Sequence, residues 1–434
     1  MGGEPQMELG VLADDLTGGM IVASMLEAAG VACPLVTEAS CLSEIPGDPT
    51  ATVLARKIRL VRADLAREEA RMAAAAFAGR GARCLYYKYA AMFDSTAAGN
   101  IGPIAEALLS ATGAERTVFC PAYIERAVTI YKGHLFVGPA LMAETAKRFD
   151  PVTPAYTSNV AAMLGSQTRL HIDLLDHQRL GGDLDALNAM LSARSDCPFW
   201  VADAIDSADV ARLAALTRTW PLVTGGDSLP AAMLRERLGH RSREPGSGRR
   251  LLPPSPGYEA VLAGSCGAAT LNQLNVFAQH HPVWRVDLVR DGDDPDLAEK
   301  IAEWAADRLA SGPIGVATTA VPEGVAAAQT AFGRDGASER ADRLMADLAA
   351  RLFGLGVRKF AIAGGETSGA VLKALGMRRL EVCAYDEELF GGYCHSTAPV
   401  PTSLVLKPGS MGQETFFFSA LERMREAERQ GSQE

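Results

Sequence analysis

Apolar residues in this chain come in short unbroken runs, and each run is followed at once by a polar or glycine-rich loop. Residues 9–13 form the first run. Asp14-Asp15-Leu16-Thr17-Gly18-Gly19 follows, and residues 20–29 then carry helix-forming side chains up to Gly30. A run without polar alternation predicts a strand buried on both faces, and the helix after it predicts a parallel crossover unit. The succession repeats, with strands predicted at 32–36, 52–55, 84–87, 117–120, 171–174, 199–203 and 221–224 and helices at 65–78, 101–109 and 208–216. Such alternation predicts parallel sheets covered by helices on both faces.

Residues 241–258 break this rhythm. They are rich in Arg, Pro, Gly and Ser, and Pro245-Gly246-Ser247-Gly248 and Pro253-Pro254 allow neither a helix nor a central strand. The rhythm restarts with strands predicted at 260–263, 360–363 and 404–406, and a charged helix is predicted from residue 420 to the end. The expected fold class is therefore α/β in two domains, each a mostly parallel sheet flanked by helices, with the active site in the cleft between them. The expected boundaries are 1–240, a linker at 241–258, and 259–434. Gly354-Leu355-Gly356 enters a strand instead of leaving one, so it is not a dinucleotide fingerprint. His280-His281 reads as a turn before Pro282, and Cys394-His395 reads as a loop.

Composition narrows the function. With 434 residues, 48% hydrophobic and 22% charged, the chain is a globular protein of more than one core. A net charge of -10 without a basic aromatic patch argues against a nucleic-acid partner. No apolar run is long enough to span a membrane, and the short polar N-terminal stretch leads us to expect no signal peptide. The cysteines at 33, 41, 84, 120, 197, 266, 383 and 394 are scattered and never spaced C-x-x-C, which suits reduced thiols in a cytoplasmic protein.

Candidate chemistry lies in the loops at the carboxyl ends of the predicted strands, where open α/β sheets bind ligands. Asp14 and Asp15 leave a buried strand beside a helix N-terminus. They can accept hydrogen bonds from polyol hydroxyls, and one can act as a general base. Asp94-Ser95-Thr96, after the strand ending in Lys88, offers hydroxyls and backbone N–H groups to an anion. Lys57 and Arg59 flank Ile58 beyond a third strand end. In the second half, Gly264-Ser265, Gly364-Gly365-Glu366-Thr367 and Lys407-x-Gly409-x-x-Gly412 are glycine-rich turns, which let backbone approach phosphate oxygens. A Walker A loop is absent, as is the Gly-x-Gly-x-x-Gly turn that a dehydrogenase would need.

These loops, in this order, resemble the four-carbon acid sugar kinase family. The stretch from Phe93 through Gly102, together with Cys120-Pro121-Ala122 and Gly133-His134-Leu135-Phe136-Val137-Gly138, is most similar to its 3-oxo-tetronate kinase branch. The resemblance implies that ATP, with Mg²⁺, phosphorylates the 4-hydroxyl of a four-carbon sugar acid such as a 3-oxo-tetronate, threonate or erythronate. It implies catalytic Asp15 and Asp14, a sugar-acid site of Lys57, Arg59, Lys88, Asp94 and Ser95, and ATP contacts at Ser265, Gly364, Gly365, Glu366, Thr367 and Gly409. The partners implied are a small-molecule sugar acid and, at most, further copies of the chain. Three departures from the family stand out: Ala98 where many members have Arg, Glu125-Arg126-Ala127 in place of a Gly-Arg pair, and Phe390-Gly391-Gly392-Tyr393 in place of a Pro-Gly-Val-Pro-like element. Ala98 leaves the pocket in need of another cation, for which Arg126 and Lys132 are nearest in sequence, or suits it to a different acid. A catalytically altered member acting as a small-anion sensor is the alternative.

Overall fold

The computed structural model describes residues 7–150, 152–239, 251–264, 267–292, 294–318, 321–409 and 411–431. The chain divides into two compact units, Met1–Ser247 and Gly248–Glu434.

The first unit contains β1 (Leu9–Ala13), β2 (Leu35–Val36), β3 (Ala51–Ala55), β4 (Leu85–Lys88), β5 (Thr117–Cys120), β6 (Val128–Tyr131), β7 (His134–Val137), β8 (Ala140–Leu141), β9 (Ile172–Leu175), β10 (Phe199–Ala202) and β11 (Leu222–Gly225). Its main sheet runs β2-β3-β1-β4-β11-β5-β10-β9 in parallel pairings. Every residue of β1, β3, β4 and β5 is buried, as continuous apolar runs between helix layers require. Register places the strand ends level: Ala13 lies opposite Ala55 and Lys88, Lys88 opposite Gly225, and Gly225 opposite Cys120. The chain leaves β1 toward β3 on one side and returns to β4 on the other. This reversal in strand order is where such sheets open a ligand crevice at their carboxyl edge.

An antiparallel sheet of β6, β7 and β8 interrupts the parallel pattern. Lys132 and Gly133 turn β6 into β7 with φ of 49° and 70°, the left-handed pair that a tight hairpin uses. Two single turns, Met142–Glu144 and Ala146–Phe149, lead from β8 toward the short helix Val160–Gly165. The sequence reading predicted no strands here, because hairpin strands this short carry little periodicity.

The second unit contains β12 (Tyr258–Ala263), β13 (Val283–Arg285), β14 (Ile314–Ala317), β15 (Val357–Ala363), β16 (Arg379–Val382), β17 (Cys394–Ser396) and β18 (Thr402–Lys407). They run β13-β14-β12-β15-β18-β17-β16, parallel as far as β18 and antiparallel beyond it. The ends are again level, with Ala263 opposite Ala317 and Ala363, and Ala363 opposite Lys407. Cys394-His395, expected in a loop, instead forms β17. It pairs on both sides, with Val382 and Leu404 opposite Cys394, and this burial overrides the weak local strand signal.

Of residues 241–258, the expected linker, 241–250 lie outside the described residues. Leu252 is buried with Val261, Phe277, Val405 and Met424 in the core of the second unit, Ser255 lies 3.0 Å from Ser403 through their hydroxyls, and Tyr258 opens β12. The described cysteines are buried and unbridged, and among the described residues no helix is long and apolar enough to cross a membrane.

Candidate active site

The carboxyl edge of the first sheet gathers the polar residues that the sequence singled out. Asp14 follows β1 and is 1% exposed; Arg59 clasps it bidentately, Nη2 to Oδ1 at 2.7 Å and Nε to Oδ2 at 3.1 Å. Asp15 caps the helix Leu16–Ala28, accepting the Gly18 N–H at 2.8 Å and the Thr17 hydroxyl at 2.9 Å. Arg59 Nη2 also lies 3.1 Å from Asp15 Oδ1, and its Nη1 lies 3.7 Å from Asp94 Oδ2. One guanidinium therefore touches three carboxylates from two loops, a role suited to its planar fork of donors.

The two adjacent aspartates are pushed apart in acidity. Burial raises Asp14 above the usual carboxylate value and outweighs Arg59. Burial alone would also raise Asp15, but Arg59, Lys88, the Gly18 N–H and the Thr17 hydroxyl together hold it below that value. Asp15 is the ionised, quarter-exposed member, and Asp14 is the enclosed counter-ion of Arg59. Such a split is how paired carboxylates acquire different tasks.

Lys88, 2% exposed at the end of β4, donates to the Tyr89 carbonyl at 2.7 Å and pairs with Asp227 at 3.2 Å. Asp227 follows β11 and is pushed up to about 6, first by burial and against the pull of Lys88. The sequence predicts a strand at 221–224, but the Gly225-Gly226-Asp227-Ser228 loop that follows it is not among the candidate site residues there. Its signal was the one shared with the other loops, a polar cluster at the end of an apolar run. Lys57 is exposed beside the Arg59 turn.

The Asp94-Ser95-Thr96 loop is fixed from several sides. Phe93 is buried with φ of 49°, a left-handed conformation that costs a bulky residue about 1–2 kcal/mol and that the surrounding packing must hold. Asn100 Nδ2 reaches the carbonyls of Ile58, Arg59 and Val61 and so ties this loop to the Arg59 turn. Gln167 Nε2 donates to Ser95 Oγ at 2.7 Å and to the Thr96 carbonyl at 2.8 Å, while its Oε1 accepts the Gly102 N–H at 3.0 Å. Because Ser95 accepts from Gln167, its own hydroxyl proton is left to donate. Lys147 meets Asp94 Oδ1 at 2.7 Å. Neither Gln167 nor Lys147 could be found from the sequence, since each lies far from the loop along the chain. Ala98 is exposed, and Lys132 pairs with Asp176 at 2.8 Å instead of with this loop.

The carboxyl edge of the second sheet is of a different kind. Gly364, with φ of 118°, precedes the helix Gly365–Ala374, and Gly267 precedes the helix Ala268–Phe277. Both helix N-termini therefore open beside level strand ends, where their free N–H groups favour an anion. A Cβ on Gly264 would sit 2.0 Å from Thr367 Oγ1, so only glycine lets that hydroxyl close over the end of β12. Thr367 Oγ1 lies 3.3 Å from Asp342 Oδ1, and Glu366 stands in the first turn of the helix. Lys407 is fully buried; its ammonium donates to Thr270 Oγ1 at 3.0 Å and to the Pro408 carbonyl at 2.8 Å, with the Gly409 carbonyl at 3.4 Å. Burial lowers Lys407 to about 7. Ser265, expected among these contacts, lies outside the described residues.

Comparison with known proteins matches both halves. Residues 9–233 match the sugar-binding N-terminal domain and residues 260–417 the nucleotide-binding C-terminal domain. The chain is 34% identical over 426 residues to a 3-oxo-tetronate kinase of Pseudomonas fluorescens, covering 96% of this chain and 97% of that one. It is 36% identical to a 3-oxo-tetronate kinase of Methylobacterium radiotolerans, covering 96% and 99%. Among solved structures, a Salmonella typhimurium LT2 protein described as a tRNA synthase superposes with a TM-score of 0.81 at 32% identity, covering 96% of this chain and 99% of that one. A Haemophilus influenzae protein superposes with a TM-score of 0.73 at 30% identity, covering 95% and 99%. With a sugar-binding half, a nucleotide-binding half and relatives of this identity along nearly its whole length, the chain belongs to the four-carbon acid sugar kinase family and is a phosphotransferase.

Proposed function

We propose that the chain transfers the γ-phosphoryl group of ATP to the 4-hydroxyl of a four-carbon sugar acid, with 3-oxo-tetronates as the preferred class over threonate and erythronate. The observation that carries this reading is the Asp14–Arg59–Asp15 cluster at the strand reversal of the sugar-binding half, where one carboxylate is kept ionised and partly open. The names of the Pseudomonas and Methylobacterium relatives support the choice of acid.

In this reading Asp15 accepts the proton of the attacking hydroxyl, and Asp14 holds Arg59 in place. Asp94 accepts from the sugar hydroxyls, and Ser95 donates its free hydroxyl proton to the acid. The substrate carboxylate is held by the cations of this edge, Arg59, Lys88 and Lys57. The turns at Gly364, Gly365, Glu366, Thr367 and Gly409 receive the phosphates, with Ser265 assigned there from the motif. Phosphoryl transfer is mainly positioning and charge neutralisation in a site from which water is excluded.

A kinase of this type implies magnesium, and the oxygen donors of the second edge fit it. Asp342, Glu366 and Thr367 lie there, and the buried Thr318 hydroxyl at the end of β14 has no hydrogen-bond partner among the described residues. Magnesium keeps much of its coordination in water and phosphate, so few protein ligands are needed. Bound there, the ion would neutralise phosphate charge.

Lys407 provides a test of the nucleotide half. Among the described residues its ammonium meets a hydroxyl and carbonyls and no carboxylate, and at about 7 it is largely neutral in mildly alkaline solution. A polyphosphate beside it restores the charged form. ADP binding at pH 7.5–8 should therefore take up on the order of half a proton, as read by calorimetry in buffers of different ionisation enthalpy. Uptake should vanish in Lys407→Met, and equal uptake in that variant would remove Lys407 from the phosphate site.

The proposal as a whole is tested by ADP release from Mg²⁺·ATP across 3-oxo-tetronates, threonate and erythronate.

A further inference from the structure

We propose that Lys147 is a positioning residue of the sugar-acid site, holding Asp94 so that Arg59 stays on Asp14 and Asp15; this rests on the sugar-acid reading above. The Lys147 ammonium donates to Asp150 Oδ2 at 3.0 Å and to Thr153 Oγ1 at 2.8 Å, and it pairs ionically with Asp94 Oδ1 at 2.7 Å. Enclosed against these three oxygens, Lys147 acts through Asp94.

The socket around this ammonium is enclosed and hydrogen-bonded. The Lys147 side chain is 8% exposed, and Thr153 is buried. Asp150 Oδ1 accepts the N–H groups of Val152 and Thr153 at 2.8 and 2.7 Å, which turns its other oxygen toward Lys147. Burial would raise Asp150, but the Thr153 N–H, Lys147 and the Val152 N–H together keep it below the usual carboxylate value, so this rear counter-ion stays charged. The Lys147 turn comes from the segment after β8, and Asp94 from the loop after β4. The antiparallel insertion thus delivers a cation to a loop where residue 98 is alanine.

The consequence reaches Asp15 through Arg59. With Lys147 present, Asp94 is already paired, and Arg59 stands 3.7 Å from it while remaining 2.7 Å from Asp14 and 3.1 Å from Asp15. Without that ammonium, Asp94 is left with the Arg59 guanidinium 3.7 Å away and draws it from Asp15. Asp15 loses part of what keeps it ionised, its pKa rises, and the acid limb of kcat moves to higher pH.

Steady-state kinetics of the full chain with Mg²⁺·ATP and the best four-carbon acid test this. Lys147→Met should lower kcat/KM for the acid by roughly 10–100-fold, as a misplaced site residue does, shift the acid limb upward, and leave ADP affinity unchanged. In an Asp94→Asn background, the same substitution should cost less than about 3-fold, because residues acting as one unit are not additive. A circular-dichroism spectrum and an unfolding transition like the parent's show that the variant is folded; should Lys147→Met fail to fold, Lys147→Gln, which keeps a donor for Thr153, is measured in its place. An unshifted pH profile with kcat/KM like the parent, or full additivity with Asp94→Asn, overturns the proposal. Absence of turnover in the parent chain would overturn the sugar-acid reading and this inference with it, whereas parent turnover with an unaffected Lys147 variant overturns this inference alone.

Discussion

Asp15→Asn should lower kcat by about 10²–10⁴-fold, the range expected when a positioned general base is lost, while ADP affinity stays within about twofold of the parent, well inside the tenfold that corresponds to 1.4 kcal/mol. The substitution is nearly isosteric. It keeps an oxygen to accept the Gly18 N–H, so the helix Leu16–Ala28 retains a cap, since asparagine caps as well as aspartate. What is lost is the charge facing Arg59 and the ability to take a proton. Because Asp15 belongs to the sugar-binding half, nucleotide affinity should not follow activity. Calorimetry showing an equal loss of ADP binding would mean that the carboxylate serves the fold or a metal and not the acceptor hydroxyl.

Arg59→Gln should be the most damaging single change to the first domain. It strips the counter-ion from buried Asp14 and from Asp15 at once. Breaking a buried pair by removing one partner costs about 3–5 kcal/mol, because the other charge stays enclosed and uncompensated. The pH dependence follows from the sign of the Asp14 shift. Asp14 is already raised by burial despite Arg59, and without Arg59 it rises further above its unfolded value. A carboxyl raised on folding contributes stability at low pH and loses it as pH climbs through the folded value. The variant should therefore be least stable near pH 8 and recover part of its deficit near pH 5.5. Denaturant unfolding at the two pH values measures this; a deficit that is small and independent of pH would show that Arg59 does not neutralise Asp14.

Much of this architecture was legible because the strands are buried on both faces. Unbroken apolar runs marked β1, β3, β5 and β12, and the polar loops that end β1, β4, β15 and β18 marked where chemistry could sit. Parallel register then does what no local pattern encodes, setting Ala13, Ala55, Lys88 and Gly225 level so that Asp15, Arg59, Asp94 and Asp227 share one edge. Lys147 and Gln167 were not legible. They reach the Asp94 loop from the antiparallel insertion and the helix that follows it, and nothing in their own neighbourhood points there. Lys132, the nearer cation in sequence, is turned by its hairpin toward Asp176. The left-handed Phe93 was equally hidden, since a buried aromatic residue is not one that sequence rules place at positive φ. The β17 strand was missed because Cys394-His395 is too short to carry a period and gains its burial from both neighbours.

The central claim is phosphoryl transfer from ATP to a four-carbon sugar acid, and its most direct test is ADP formation by the full chain. With Mg²⁺·ATP, 3-oxo-tetronates should support the highest kcat/KM, threonate and erythronate should be slower, and the phosphate should be found on the 4-hydroxyl by nuclear magnetic resonance of the product. Folded chain that binds ADP yet forms none above the ATP-alone rate with any of these acids would contradict the account.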